Sequence, residues 1–165
     1  MPLASLFDLV VDFLTEDGWS PEPVPGEHLA RIRARGESGE WPAFSGTREA
    51  EQQVVVYSTC LTAPEPRRAE TMAFITRANY GLIMGNFELD LDDGEVRYKT
   101  SVDVKGDRLS AALLRQLVWD NVAVTDKYLP GLRRVIESGD SAVTALAKIE
   151  SDQSRQNGHH HHCPE

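Results

Sequence analysis

The stretch Asn86 to Val104 reads NFELDLDDGEVRYKTSVDV, and its letters describe a β-hairpin. Positive φ suits Gly and is tolerated by Asp, so Asp93-Gly94 is placed at the centre of a two-residue turn. That register sets Leu91 against Val96 and Leu89 against Tyr98 on one face. It sets Asp90 against Arg97 and Glu88 against Lys99 on the other. An apolar face backed by a ladder of opposite charges is what a half-buried antiparallel pair requires. The hairpin is a fold element and carries no chemistry of its own.

Three upstream segments also read as strands. His28 to Arg35 alternates, with Ala30, Ile32 and Ala34 on one side and Arg31, Arg33 and Arg35 on the other. Trp41 to Thr47 is a weaker strand, because Pro42 and Gly46 suit an edge. Gln53 to Cys60 carries Val54-Val55-Val56-Tyr57, a β-forming run that fits a central strand covered on both sides. Helical spacing of Leu3, Phe7, Val10, Val11 and Leu14 predicts a helix over 3–15. A second helix is expected over 67–79, opened by Pro64-Glu65-Pro66 and stopped near Asn79-Tyr80-Gly81. Ser110 caps a long third helix, which Pro130 must kink or break. Ser141 opens a short fourth helix to about Ile149. The order is α-β-β-β-α-β-β-α plus that helix. Strands and helices that do not alternate one for one imply an α+β fold, an antiparallel five-stranded sheet with helices packed on it.

Composition narrows the class. A chain of 165 residues suits one domain, assigned to residues 1–150, with a polar, disordered tail over 151–165. The 26 acidic and 17 basic residues give a formal charge of -9, a field that repels phosphate backbones and argues against nucleic-acid binding. Cys60 and Cys163 make no disulfide framework, and no segment reads as a membrane span or an export signal. A cytoplasmic protein is expected.

Separated motifs carry a likeness to a known family: Arg77-Ala78-Asn79, Gly85-Asn86-Phe87-Glu88-Leu89-Asp90 and Asp93-Gly94-Glu95-Val96-Arg97-Tyr98. Gly39-Glu40-Trp41 and Tyr128-Leu129-Pro130 agree with it. With this element order, the chain resembles the YbjN domain family of bacterial sensory-transduction regulators. The resemblance implies a fold like that of class I type III secretion chaperones, small acidic dimers that hold segments of other proteins. The family brings no catalytic residues to carry over.

Arg31, Arg33 and Arg35 form a basic stripe that could hold an acidic peptide, since Arg binds carboxylates bidentately. The same stripe also reads as a solvated face balanced by Glu37, Glu40, Glu49 or Glu51. Trp119 lies off the main stripe of its helix and is the best candidate for a partner surface. Asn79 reads as a helix-end residue hydrogen-bonded to backbone. The turn Asp90, Asp92, Asp93, Glu95 fails the calcium-loop pattern, because Leu89, Leu91 and Thr100 stand where ligands are needed. In the tail, His159, His160, His161, His162 and Cys163 could hold a metal weakly, or form a tag; no metal is assigned within the domain. No phosphate loop, Gly-x-Ser-x-Gly or His-Glu-x-x-His occurs. The expectation is a non-enzymatic, chaperone-like protein-binding module or regulatory adaptor. It would be a homodimer without cofactor, binding a protein or peptide segment. The alternative is a small-ligand sensor or enzyme with a pocket between sheet and helices.

Overall fold

The computed structural model describes residues 4–157, so Leu3, His159 to His162 and Cys163 lie outside the described residues. The elements run α1 (Leu6–Glu16), β1 (Glu22–Pro23), β2 (Leu29–Gly36), β3 (Gly39–Arg48), β4 (Gln53–Thr62), α2 (Arg68–Gly81), β5 (Asn86–Leu89), β6 (Glu95–Asp103), α3 (Ala111–Ile136) and α4 (Ala142–Asn157). A 3-10 turn at Glu65–Arg67 precedes α2. The sheet is antiparallel throughout, in the order β1-β2-β3-β4-β6-β5. It has six strands rather than the five expected, because Glu22 and Pro23 pair with Arg31 and Ala30.

Helix starts follow their caps. Ser5 Oγ accepts the Asp8 N–H at 3.0 Å while Asp8 accepts the Ser5 N–H at 3.2 Å, a reciprocal box that opens α1. Ser110 Oγ accepts the Leu113 N–H at 3.1 Å and opens α3. The helix at the C-terminal end is longer than its sequence suggests, running on from Ile149 to Asn157.

α1, α2 and α3 pack on one face of the sheet, and α4 packs on α2 and α3. Inward strand positions alternate as expected: Ala30, Ile32 and Ala34 on β2, Trp41 and Ala43 on β3, Val54 and Val56 on β4, Val96 and Tyr98 on β6. They meet Val10 and Leu14 of α1 and Leu114, Val118 and Leu129 of α3. Phe74, Ile75 and Ala78 of α2 meet Leu132 and Val135 of α3 and Ala145 of α4 in a second cluster. One polar chain crosses this core. Trp41 Nε1 donates to Ser58 Oγ at 2.9 Å, and Ser58 donates to Asn121 Oδ1 at 2.6 Å. Asn121 Nδ2 then donates to the Val56 and Tyr98 carbonyls. Every member finds a partner, as burial demands.

Three expectations need correction. β4 is central but covered on one side only, so Val55 and Tyr57 are half-buried on a helix-free face. An apolar run shows that both sides avoid charge, not that both are roofed. The β5–β6 register pairs Phe87 with Tyr98, Glu88 with Arg97 and Leu89 with Val96, two residues away from the expected one. The two-residue turn fails because Asp90 O accepts the Gly94 N–H at 2.7 Å, and Asp90 and Asp93 carboxylates take the N–H groups of Asp92 and Glu95. Gly94, at φ +85°, also gives its carbonyl to the Ala63 N–H at 2.7 Å, so the turn is shaped by the loop it leans on. Leu91 is left exposed. Finally, of the kink or break expected at Pro130, the break does not occur: α3 continues to Ile136.

Candidate protein-binding surface

The β2–β3 hairpin carries the basic stripe. Its alternation sends Arg31, Arg33 and Arg35 to the helix-free face, all exposed. Glu40, opposite Arg35 in the register, pairs with Arg35 and approaches Arg33 at 3.9 Å. Glu40 is therefore the balancing acid among the four that the sequence offered. The Arg33 and Arg35 side chains remain 78% and 76% exposed, so these ion pairs contribute little to stability. Arg31 makes no ion pair among the described residues.

Toward the sheet centre, Arg31 faces Phe44, Phe44 faces Tyr57 and Tyr57 faces Lys99. The Arg97 guanidinium sits 4.2 Å from the Tyr57 ring centre. Across the helix-free face, then, cations on β2 and β6 flank a strip of half-buried Phe44, Val55 and Tyr57.

Trp119 and the stripe are joined through Trp19, which is partly buried. Trp119 is 48% exposed on α3, and its ring lies 5.0 Å from that of Trp19. Asp17 holds this corner: it accepts Trp19 Nε1–H at 3.2 Å and pairs with Arg115 of α3 at 2.9 Å. Trp19 in turn lines an open groove of about 620 Å³ with Glu22, Arg31, Ile32, Arg33 and Trp41. Residues far apart in sequence, Trp19 with Trp119 and Asp17 with Arg115, thus meet at one end of the sheet. The sequence signal for Trp19 was weak, since a lone Trp after a helix end shows no partner.

A second surface escaped the sequence reading. Tyr80 and Ile83 are 96% and 94% exposed, with Met84 and Val143 also exposed nearby in sequence or fold. Tyr80 and Val143 line a groove of about 580 Å³ between α2 and α4. The run Tyr80-Gly81-Leu82-Ile83-Met84-Gly85, apolar residues interrupted by glycine, was the available signal.

Other candidates resolve into structural roles. Asn79 bonds backbone, but across to β5: its Nδ2 donates to the Phe87 carbonyl and its Oδ1 accepts the Phe87 N–H at 2.7 Å. Among the described residues no group of three or more His, Cys, Asp or Glu could hold a metal. Burial pushes the Cys60 thiol up to about 12, away from the thiolate form that reacts. No described helix is long and apolar enough to cross a membrane.

The chain belongs to the YbjN family, whose description is "Putative bacterial sensory transduction regulator" and whose model matches residues 7–134. The match ends before α4. No curated protein matches the chain in sequence. Among solved structures, the chain is similar to YbjN from E. coli, with a TM-score of 0.56 at 10% identity, over 73% of this chain and 88% of that one. It is similar to the Yersinia pestis type III secretion chaperone SycH, solved with a fragment of YscM2, with a TM-score of 0.50 at 14% identity, over 73% and 97% of the two chains. It is also similar to a chain of the ExsC–ExsE complex, with a TM-score of 0.50 at 10% identity, over 75% and 90%. At these identities the likeness is one of fold, that of type III secretion chaperones.

Proposed function

We propose that this member of the YbjN family is a non-enzymatic, cytoplasmic, chaperone-like module that holds a segment of another protein. The observation that carries the reading is the helix-free sheet face, where an aromatic strip ends in an arginine stripe and an open groove beside Trp19. Extended chains bind such surfaces through backbone pairing and alternate side chains. The solved neighbours include chaperones complexed with other polypeptides, and that supports the same reading. The unpaired Cys60 is a state that a reducing compartment maintains.

A homodimer belongs to the same proposal. Its support is Tyr80, Ile83 and Met84, large apolar residues exposed within five positions of one another, which a monomer seldom leaves in water. Sedimentation of the full chain beside Tyr80→Glu/Ile83→Glu checks this: dimer converting to monomer supports it, and a monomer in both rejects it.

Capture from lysate tests the binding role. Full-length bait, washed with EDTA to silence the histidine run, is compared with Arg31→Glu/Arg33→Glu/Arg35→Glu bait. A recurrent polypeptide lost from the reversed bait supports the module and its site. No polypeptide on either bait rejects the module.

A further inference from the structure

β2 has an unfinished edge. A two-residue turn, Glu37-Ser38, joins it to β3, with Gly36 opposite Gly39. Residues flanking such a turn exchange hydrogen bonds, so Gly36, Ala34, Ile32 and Ala30 direct their backbone groups at β3. The bond from Thr47 N–H to the His28 carbonyl, 3.0 Å, continues that series. Arg31, Arg33 and Arg35 therefore direct their N–H and C=O groups the other way. On that side β1 pairs only with Ala30 and Arg31. The chain before β1 does not continue the pairing: Ser20, which would come opposite Arg33, lies at φ +50°, outside the strand region. Among the described residues no strand covers Ile32 to Gly36 on this side, and the groove beside Trp19 opens against Ile32 and Arg33.

Charge decides what fits there. The chain as a whole carries -9, which repels acidic partners. Along this edge three arginines stand at alternate positions, about 7 Å apart, with Glu40 shared by two of them and none on Arg31. A strand added here would place alternate side chains beside those guanidinium groups, and the intervening ones on the side of Ile32 and Trp19.

We infer that the free edge of β2, from Ile32 to Gly36, takes up an extended segment in which acidic and apolar residues alternate. The segment pairs its backbone with Arg33 and Arg35, sets carboxylates beside Arg33 and Arg35 with Arg31 at the β1 end, and lays its apolar side chains toward Trp19. This rests on the protein-binding reading and adds the chemistry and geometry of the partner.

The test uses a fluorescein-labelled peptide alternating aspartate and valine, a lysine–valine counterpart, and an aspartate–valine version N-methylated at alternate amides. Anisotropy with the full chain reads affinity, and hydrogen exchange reads which amides become protected. The inference expects the aspartate peptide alone to bind, and to slow exchange at Arg33 and Arg35. Arg31→Gln/Arg33→Gln, which keeps the strand, is expected to weaken binding about tenfold or more, and so is added salt. Equal binding of the lysine or methylated peptide overturns it, as does protection at Tyr80 to Met84 instead of β2. If the lysate partner is retained while Arg33 and Arg35 exchange freely, this inference falls and the binding module stands. If no polypeptide is retained at all, both fall.

Discussion

Ser38 donates its hydroxyl to the backbone carbonyl of Asp126 at 2.7 Å, tying the β2–β3 turn to the middle of α3. That carbonyl is available because the residue four positions later is Pro130, which has no N–H to offer it. The Asp126 carboxylate also accepts the N–H groups of Glu37 and Ser38 at 3.1 and 2.7 Å, and Arg133 donates to the Ser38 carbonyl at 2.8 Å. The proline thus leaves α3 continuous and opens a docking point for the hairpin that carries the arginine stripe. Ser38→Ala should cost about 1 kcal/mol in the native chain, where a partly buried carbonyl loses its donor. In a Pro130→Ala background, a helical N–H reaches the same carbonyl, and the Ser38→Ala cost should fall by half or more. Urea unfolding of the four proteins in the cycle measures the coupling; simple additivity would reject this account of Pro130.

Gly94 is constrained twice, by its φ of +85° and by the Ala63 carbonyl, which an added Cβ would overlap. Gly106 has a similar φ of +77° with nothing within 4 Å of such a Cβ, so it isolates the conformational part. Gly106→Ala is expected to cost about 1 kcal/mol and Gly94→Ala about 2–3 kcal/mol, the excess coming from the contact. Thermal and urea unfolding of both variants give the comparison. Equal costs would show that the turn does not depend on the β4–α2 loop.

The contrast between these elements and the sequence reading has a physical cause. Side-chain period fixes which face a strand residue takes, so Val96 and Tyr98 are buried on one face as expected, with Leu89 packed beside them, even though the pairing is displaced by two positions. Parity survives such a shift; the identity of the partner does not, because it depends on the contact between Gly94 and Ala63. The arginine stripe was legible for the same reason of parity. Its continuation to Trp19 and Trp119 was not, since nothing local relates the end of α1 to the outer side of α3. The bare edge of β2 was hidden too: it follows from where β1 stops, and Glu22-Pro23 gives no strand pattern to count.

Glu88 accepts hydrogen bonds from Arg97 at 2.9 Å and Lys99 at 3.1 Å. Partial burial by itself would raise its carboxyl pKa. The Lys99 hydrogen bond and the Arg97 and Lys99 charges outweigh that and hold it below the ordinary 4.5. A depressed folded value means that the unfolded chain binds the proton first, so this stabilisation is present above about pH 4.5 and is lost as pH falls through the folded value. Glu88→Gln should therefore cost about 1 kcal/mol or less near neutrality, after allowance for solvent, and progressively less in acid. Unfolding curves of both proteins across that range read the gap. A gap that is constant with pH would mean that Glu88 acts by packing and not by charge.

Cys60 is the described thiol, and its chemistry bears on whether the protein could act covalently. Burial on β4 raises its pKa from 9.0 to about 12; a backbone hydrogen bond from Tyr98 opposes the rise and the Glu95 charge adds to it. A thiol reacts as thiolate, so near pH 8 the reactive fraction should be roughly a thousandfold smaller than for the unshifted group. In a Cys163→Ser chain, which leaves Cys60 alone to be read, native protein should therefore resist Ellman's reagent. Labelling should then follow unfolding, rising with urea as the core opens and not with pH as an active thiolate would. Prompt stoichiometric labelling of the folded chain would place a usable nucleophile beside β6 and weaken the non-enzymatic reading. Slow labelling that tracks global stability would leave Cys60 as a small apolar filler of the sheet, with recognition, not reaction, as the work of the opposite face.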